Sequence, residues 1–264
     1  MKKDAITISK MFDTIAPRYD LLNHIMSFNI DKIWRRKLIK YLNKKYSSSI
    51  ETANTDKSDT DRKASIALNK KNNSKPLMLD LACGTGDVAF ALAREGYQVR
   101  GVDISTKMLE VAKSKLDKIN RTKRPIASGM VSFEEGSAED IPYPDNYFDA
   151  VTIAFGIRNF NNRDTCIKEI RRVLKPGGSF AIIEFATPRN KLWNKLYTFY
   201  FKNILPRIGK AISGDNYAYT YLPESALSFP QEKYFCEEFE INNYKSIEYK
   251  SLTGGIAYLY TGEK

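Results

Sequence analysis

Residues 77–87 read Leu77-Met78-Leu79-Asp80-Leu81-Ala82-Cys83-Gly84-Thr85-Gly86-Asp87, and this stretch decides the fold of the chain. A short apolar run ends at a Gly-Thr-Gly turn, after which residues 88–93 resume with the apolar density of a helix. The pattern predicts a strand, a glycine-rich turn and a helix. Because glycine lets a ligand approach the backbone and a helix begins with unpaired N–H groups, we expect a small polar ligand to bind here.

A second apolar run, residues 97–102, ends at an acid, Asp103. An acid at the tip of the second strand is where nucleotide-binding α/β folds hold ribose hydroxyls. We therefore expect Asp103 and the glycine-rich turn to belong to one site.

The glycines alone leave the ligand open, since residues 84–89 also satisfy the loose dinucleotide pattern G-x-G-x-x-G/A and such turns are often purely structural. Asp80 and Asp87 favour a cationic ligand, because two carboxylates would repel a pyrophosphate and attract a sulfonium amino acid. The stretch resembles motif I of the class I S-adenosylmethionine (SAM) methyltransferases, hhDhxCGTGD. The resemblance implies SAM as cosubstrate and makes an NAD oxidoreductase the least favoured alternative.

Residues 77–188 alternate apolar runs with helical patterns, which predicts a parallel sheet with right-handed crossovers. A helix near 230–240 and two strands near 244–251 and 255–261 are expected to complete the sheet as an antiparallel hairpin, as is typical of this methyltransferase class. The predicted fold is α/β: a Rossmann-like, seven-stranded, mostly parallel sheet with helices on both faces, an N-terminal helical cap and a helical insertion before the last strands.

Polar residues or glycine-rich turns follow each of the first four predicted strands, and this is the edge at which an α/β sheet binds its ligands. After the third strand, Ser137 and Ala138 would place backbone groups against an adenine ring, with Glu139 or Asp140 available to its amino group; a solvated turn is the alternative. The residues predicted to bind the cosubstrate are Asp80, Gly84, Thr85, Gly86, Asp103, Ser137, Ala138 and Ala154.

Composition limits the classes of protein. The chain has 264 residues, is 42% hydrophobic and carries a net charge of +11, which suggests an anionic partner such as nucleic acid or lipid headgroups, or else a lysine-rich proteome. Its three cysteines lie far apart and it has one histidine, so no metal-ligand spacing is present and a reducing cytoplasm is expected. No signal peptide and no run of about 18 apolar residues is visible.

Three regions are predicted from the change in character along the chain: a helical cap at 1–45, a flexible polar insertion at 46–75, and the SAM-dependent methyltransferase domain at 76–264. Within the domain, residues 189–230 form an insertion in which cations are interleaved with aromatic residues and which holds no acid before Asp215. This pattern favours a membrane surface or a long apolar substrate. Nucleic acid is the competing partner, and core packing explains part of the pattern.

Four stretches together narrow the resemblance: residues 12–20, 79–87, 153–159 and 212–225. They resemble the ubiquinone/menaquinone biosynthesis C-methyltransferases of the UbiE/MenG type, over nearly the whole chain except 46–75. The resemblance implies C-methylation of a polyprenylated quinol ring by SAM, with demethylmenaquinol to menaquinol favoured over a ubiquinone precursor. It also implies a cytoplasmic enzyme in peripheral contact with a membrane, no nucleic-acid partner, and leaves a homodimer open.

The implied chemistry assigns roles to four residues. A ring carbon becomes nucleophilic when the neighbouring hydroxyl loses its proton, so the site needs a cation or donor for the phenolate and a group that takes up a proton. Arg158 is expected to hold the quinol oxygen, with Asn159 as a second donor. Asp215, Tyr221 or an ordered water would take the proton, and the sequence does not choose among them.

No metal is required, because the sulfonium already activates the methyl group. The prenyl tail would leave along residues 192–205 towards the bilayer. Two rivals remain from the sequence: a nucleic-acid methyltransferase, which would use the same core and the same positive charge, and a non-catalytic SAM-fold subunit.

Overall fold

A seven-stranded sheet organises the protein, which is described here from a computed structural model over residues 5–27, 29–51, 76–204, 207 and 217–264. The strand order is β3-β2-β1-β4-β5-β7-β6. The strands are β1 (Leu77–Leu81), β2 (Gln98–Asp103), β3 (Val131–Glu135), β4 (Phe148–Ala154), β5 (Leu174–Phe185), β6 (Lys245–Leu252) and β7 (Ala257–Glu263).

Strands β1 to β5 pair in parallel, and β7 runs antiparallel between β5 and β6. In register, Leu79 of β1 lies between Arg100 of β2 and Val151 of β4. The strand order reverses between β1 and β4, which is the position where open α/β sheets bind ligands at the carboxyl ends of their strands. The predicted fold class is confirmed.

Nine α-helices lie within the described residues: α1 (Ala5–Ile15), α2 (Tyr19–Met26), α3 (Ile30–Glu51), α4 (Asp87–Arg94), α5 (Thr106–Asn120), α6 (Arg163–Val173), α7 (Lys191–Phe199), α8 (Tyr217–Ser228) and α9 (Lys233–Ile241). Three of them begin at a side-chain cap that satisfies otherwise unpaired N–H groups. Ser105 accepts the N–H of Met108 at α5, and Asn162 and Asn190 cap α6 and α7 in the same way.

The core occupies both faces of the sheet because side chains alternate along each strand. Met78 packs with residues of α3, α4 and α5, such as Leu38 and Val88. Leu79 packs on the other face with residues of α6 and α9. Both faces are covered, as a parallel sheet requires.

Helices α1 to α3 form the predicted N-terminal cap. Helix α1 packs on α5 through Met11, Ile15 and Met108. Helix α3 continues to Glu51, past the end of the predicted cap at residue 45, and the predicted division of the chain stays a prediction. The hydroxyl of Tyr46 lies 2.5 Å from the carbonyl oxygen of Asp149 and 2.9 Å from Ser179 Oγ and so ties this turn of the helix to the sheet. The rest of the predicted insertion, 52–75, lies outside the described residues.

The insertion before the last strands is helical, as predicted. It comprises α7, a π-helical turn (Tyr200–Ile204) and α8. Across the parts of the chain that the structure describes, none of the helices combines the length and apolar character needed to cross a bilayer.

Candidate active site

The glycine-rich turn follows β1 as predicted and requires glycine at two positions. Gly84 has φ +54° and Gly86 has φ +84°. A Cβ on Gly86 would lie 2.7 Å from Cζ of Phe133, whereas a Cβ on Gly84 would project towards the ring of Tyr19 at 3.8 Å. Gly86 is therefore needed for packing, and Gly84 keeps open the space in front of the turn.

Asp103 ties the end of β2 to this turn. Its Oδ2 accepts the N–H of Gly84 at 2.7 Å, and its Oδ1 accepts the N–H of Ser105 at 2.9 Å. Burial raises the pKa of this carboxyl, although the backbone hydrogen bonds act to lower it. Since two carboxylate oxygens offer about four acceptor positions, Asp103 retains capacity for ligand hydroxyls.

Asp80 lies beneath the turn, only 2% exposed. Its Oδ2 accepts the N–H of Ala89 at 3.1 Å, and its Oδ1 lies 2.8 Å from the hydroxyl of Thr152. Burial raises the pKa of Asp80 to about 7, against the opposing effect of these hydrogen bonds. The carboxyl thus joins β1, β4 and the start of α4.

The expectation that Asp80 and Asp87 favour a cationic ligand stays a prediction, and both acids line the larger cavity. Asp87 forms ion pairs with Lys115 (Nζ to Oδ1, 2.5 Å) and with Arg35 (Nη1 to Oδ2, 2.9 Å). Its charge is therefore balanced by two cations from α5 and α3, whereas burial raises the pKa of Asp80. Both acids support the turn structurally.

Two adjoining cavities open at the carboxyl ends of the strands, with volumes of about 410 Å³ and about 90 Å³. Asp103, Ser137 and Ala138 line the smaller cavity, and Asp80 and Thr85 line the larger one. The residues lining both are Phe12, Tyr19, Ala82, Gly84, Ala154 and Phe155. Of the eight residues predicted to bind the cosubstrate, only Gly86 lines neither cavity.

The smaller cavity combines apolar walls with a carboxylate. It has apolar walls that include Ile104, Met108 and Phe160, and it ends at the Asp103 carboxylate. Asp103, Ser137 and Ala138 would hold the nucleoside of SAM, and Gly84 and Thr85 its amino-acid portion. The carboxylate of Glu139 accepts the N–H of Asn162 at 2.9 Å, which places it at the start of α6.

One wall of the larger cavity is aromatic. Trp34, Phe155 and Phe185 form a cluster with ring centroids 4.5 to 6.0 Å apart, and all three line the cavity. Helix α7 and the turn after it add Trp193, Leu196, Tyr197 and Tyr200. Such a wall accommodates a flat, apolar ring.

Arg158 enters this aromatic wall from the short helix Ile157–Asn159 that follows β4. It is 5% exposed, and its Nη1 donates to Glu184 Oε1 at 2.6 Å and to the carbonyl oxygen of Phe155 at 2.5 Å. Its guanidinium lies 5.3 Å from the Phe185 ring centroid. Glu184 is fully buried and also accepts the N–H of Arg158, so it fixes where this cation lies.

Asn159 and Tyr221 contact each other between the cavities. The hydroxyl of Tyr221 donates to Oδ1 of Asn159 at 3.1 Å. Tyr221 lines the larger cavity and Asn159 the smaller one, so the structure places Asn159 nearer the nucleoside compartment than predicted. Asp215 lies outside the described residues.

Several site residues were missed from the sequence: Tyr19, Trp34, Phe185 and Glu184. Tyr19 lies in the stretch 12–20 that carried the family resemblance, and Glu184 is an acid at the carboxyl end of β5. The rule applied to the first four strands would have identified Glu184 as well.

Comparison with known proteins agrees with this geometry. The profile of the ubiE/COQ5 methyltransferase family matches residues 1–264. The chain belongs to this family. Among similar members, a ubiquinone/menaquinone biosynthesis C-methyltransferase UbiE of Geotalea daltonii is 40% identical, covering 97% of this chain and 96% of its own. A demethylmenaquinone methyltransferase of Deinococcus radiodurans is 37% identical, covering 97% and 92%.

Solved structures resemble this ubiE/COQ5 family member in fold. A SAM-dependent methyltransferase of Thermotoga maritima superposes with a TM-score of 0.56 at 14% identity, covering 97% of this chain and 99% of its own. The phosphoethanolamine N-methyltransferase 2 of Haemonchus contortus, solved with SAM, has a TM-score of 0.53 at 19% identity, covering 75% and 51%. These likenesses support the SAM methyltransferase fold.

Proposed function

We propose that the protein is a SAM-dependent C-methyltransferase that methylates a ring carbon of a polyprenylated quinol in menaquinone or ubiquinone biosynthesis, with demethylmenaquinol as the favoured substrate. One observation carries the proposal: the aromatic cavity of about 410 Å³, which contains a buried arginine, adjoins a cavity suited to a nucleoside. The printed names of the relatives agree with this chemistry.

The cosubstrate side of the site is formed by Gly84, Thr85, Asp103, Ser137 and Ala138. When bound, SAM supplies a methyl group that its sulfonium already activates. The protein therefore needs chiefly to orient the acceptor and exclude water. Holding SAM and the acceptor close together supplies a large part of the rate enhancement.

The acceptor ring would lie against Trp34, Phe155 and Phe185, with a ring oxygen directed to Arg158. A phenolic hydroxyl ionises near pH 10 in water, so a nearby guanidinium that stabilises the phenolate makes the adjacent carbon nucleophilic at lower pH. Arginine stays protonated and acts as the electrostatic partner, not as the base.

The hydroxyl proton has to leave before the transfer, and the ring proton leaves once the new carbon–carbon bond has formed and the methyl–sulfur bond of SAM has broken. The phenolate of the product then takes one proton back, so one proton is released in all. Tyr221 is our candidate to relay a proton, since it lines the larger cavity and its hydroxyl donates to Asn159. Asp215 belongs to the same sequence motif as Tyr221 and remains the alternative acceptor.

The prenyl tail would leave the cavity along α7. Leu192, Leu196 and Phe199 lie on one face of this helix and are 70%, 55% and 58% exposed, and Leu196 also lines the cavity. Exposed Lys191 and Lys195 flank that face. An apolar face with adjacent cations suits insertion into an anionic membrane surface, so we propose peripheral attachment through α7.

Quinone profiling by mass spectrometry tests the proposal in cells. Deleting the gene should cause the demethylated quinone to accumulate, and re-expression should restore the methylated form. An unchanged quinone profile in the deletion strain would contradict the proposed substrate. A profile that changes in the benzoquinone series alone would replace demethylmenaquinol with a ubiquinone precursor.

A further inference from the structure

Lys115 occupies the centre of a polar cluster that borders the larger cavity, which Thr85 and Asp87 line. Its Nζ lies 2.9 Å from Asp20 Oδ2, 2.5 Å from Asp87 Oδ1 and 3.2 Å from Thr85 Oγ1. The hydroxyl of Thr85 also donates to Asp20 Oδ1 at 2.5 Å. One cation of α5 therefore joins helix α2 to the glycine-rich turn.

The segment that Lys115 holds covers the cosubstrate site. Tyr19, adjacent to Asp20, lines both cavities, and its ring lies next to Gly84. Phe12 also lines both cavities and contacts Tyr19 edge-on with ring centroids 6.1 Å apart. Movement of residues 5–26, the α1–α2 segment, would uncover a ligand lying under these two rings.

The α1–α2 segment is attached at two points of different character. At α1 the attachment is mostly apolar, through Met11, Ile15 and Met108, with Ser105 Oγ donating to Asp13 at 2.6 Å. At α2 it is the ionic cluster around Lys115, whose side chain is 24% exposed and whose partner Asp20 is 33% exposed. Tyr19 at the start of α2 also packs on the apolar cluster of α1. Partly solvated ion pairs are individually weaker than apolar packing, so we expect the loss of this cluster to loosen the α2 end.

We infer that Lys115 is a positioning residue that latches the α1–α2 segment over the cosubstrate cavity and sets the rate at which SAM and its product S-adenosylhomocysteine (SAH) exchange. It acts through Asp20 and Thr85. The inference rests on the proposed use of SAM and is independent of which quinol accepts the methyl group.

The dissociation rate of SAH tests the latch directly. In Lys115→Met the cluster loses its central cation, and SAH should dissociate about tenfold faster, as expected for the loss of charge-assisted hydrogen bonds that hold a closed state. Lys113→Met makes the same change on an exposed position of the same helix and should leave the rate unchanged. Lys115→Arg keeps the charge and should restore most of the slow dissociation.

Asp20→Asn breaks the latch from the opposite side and should also speed SAH dissociation. Hydrogen exchange in the absence of ligand should become faster in residues 5–26 of both Lys115→Met and Asp20→Asn, with β1 and β4 unaffected. SAH dissociation at the wild-type rate in either variant would overturn the latch, as would equal effects of Lys115→Met and Lys113→Met. Normal SAH exchange kinetics in a wild-type protein that does not methylate quinols would overturn the proposed substrate and leave the latch in place.

Discussion

We expect the buried carboxyl of Asp80 to make the free energy of unfolding depend on pH. Its neutral form is well accommodated, because a protonated oxygen can donate to Thr152 Oγ1 while the Thr152 hydroxyl donates to the carbonyl oxygen of Leu79, 3.3 Å away. The folded pKa of about 7 lies above the ordinary value of 3.8. Between those two pH values the folded state holds this proton and the unfolded state does not, so the free energy of unfolding falls as pH rises through that interval.

Asp80→Asn should remove this pH dependence. The amide oxygen can accept the N–H of Ala89 and the amide nitrogen can donate to Thr152, so no buried group loses its partner. We expect the free energy of unfolding at pH 8 to rise relative to wild type by up to about 4 kcal/mol and to change little near pH 4. Denaturant titrations across pH check this, with Asp117→Asn on the exposed side of α5 as control. Parallel pH profiles for wild type and Asp80→Asn would contradict the assignment.

Arg158 and Glu184 have to be tested as a pair. Removing Arg158 alone leaves the fully buried Glu184 without its cation, which typically costs about 3–5 kcal/mol of stability and confuses a loss of activity with a loss of fold. Removing both charges avoids this penalty.

The double variant Arg158→Met/Glu184→Gln should recover most of the stability lost in Arg158→Met. SAH binding should persist, whereas turnover should fall at least about 100-fold, because the cation that stabilises the phenolate is absent. Calorimetry and steady-state kinetics provide the measurements. Wild-type turnover in the double variant would remove Arg158 from the mechanism.

At the scale of elements, α7 connects the cavity to the surface. Trp193 and Leu196 line the cavity, while Leu192 and Phe199 of the same helix are exposed without lining it. Substituting only the latter two therefore separates membrane attachment from substrate binding.

Leu192→Ser/Phe199→Ser should weaken binding to anionic vesicles by at least about tenfold, since each buried apolar side chain contributes about 1.5–3 kcal/mol. Turnover of a short-tailed, water-soluble quinol should stay close to wild type. The matched control is Ile241→Ser on α9, which is 77% exposed and does not line either of these cavities. Equal vesicle binding by the double variant and wild type in sedimentation assays would exclude α7 as the attachment site.

The strands and the site they carry were largely predictable from the sequence, because apolar runs ending in glycine or an acid mark strand ends locally. Partners distant in sequence were not predictable. The cations that balance Asp87 come from Arg35 and Lys115, 52 and 28 residues away, and the contact that ties α3 to the sheet joins Tyr46 to Asp149, 103 residues on. Tertiary contacts of this kind determine charge balance and helix packing, and local patterns do not encode them.

For the whole molecule, the net charge of +11 leaves nucleic acid as the rival partner. Exposed cations lie on several separate elements, including α3 (Lys32, Arg36, Lys37, Lys40), the end of α5 and the following loop (Lys118, Arg121, Lys123, Arg124), and α7 (Lys191, Lys195). Such a dispersed charge, next to an apolar helix face, favours a lipid surface over a base-reading groove.

Binding to RNA should therefore be weak and should fall steeply as salt rises from 50 to 200 mM, whereas binding to anionic vesicles should persist in part through the apolar face of α7. Fluorescence anisotropy with RNA and vesicle sedimentation in the same buffers provide the comparison. RNA binding that outlasts vesicle binding at 200 mM salt would favour a nucleic-acid methyltransferase.

The most direct measurement is transfer of an isotopically labelled methyl group from SAM to reduced demethylmenaquinone by the purified protein, with the product identified by mass spectrometry. We predict one labelled methyl on a ring carbon, dependent on the quinol state and lost in Arg158→Met/Glu184→Gln. Label found on an oxygen of the quinol, or no label in quinol although SAM binds, would contradict the account.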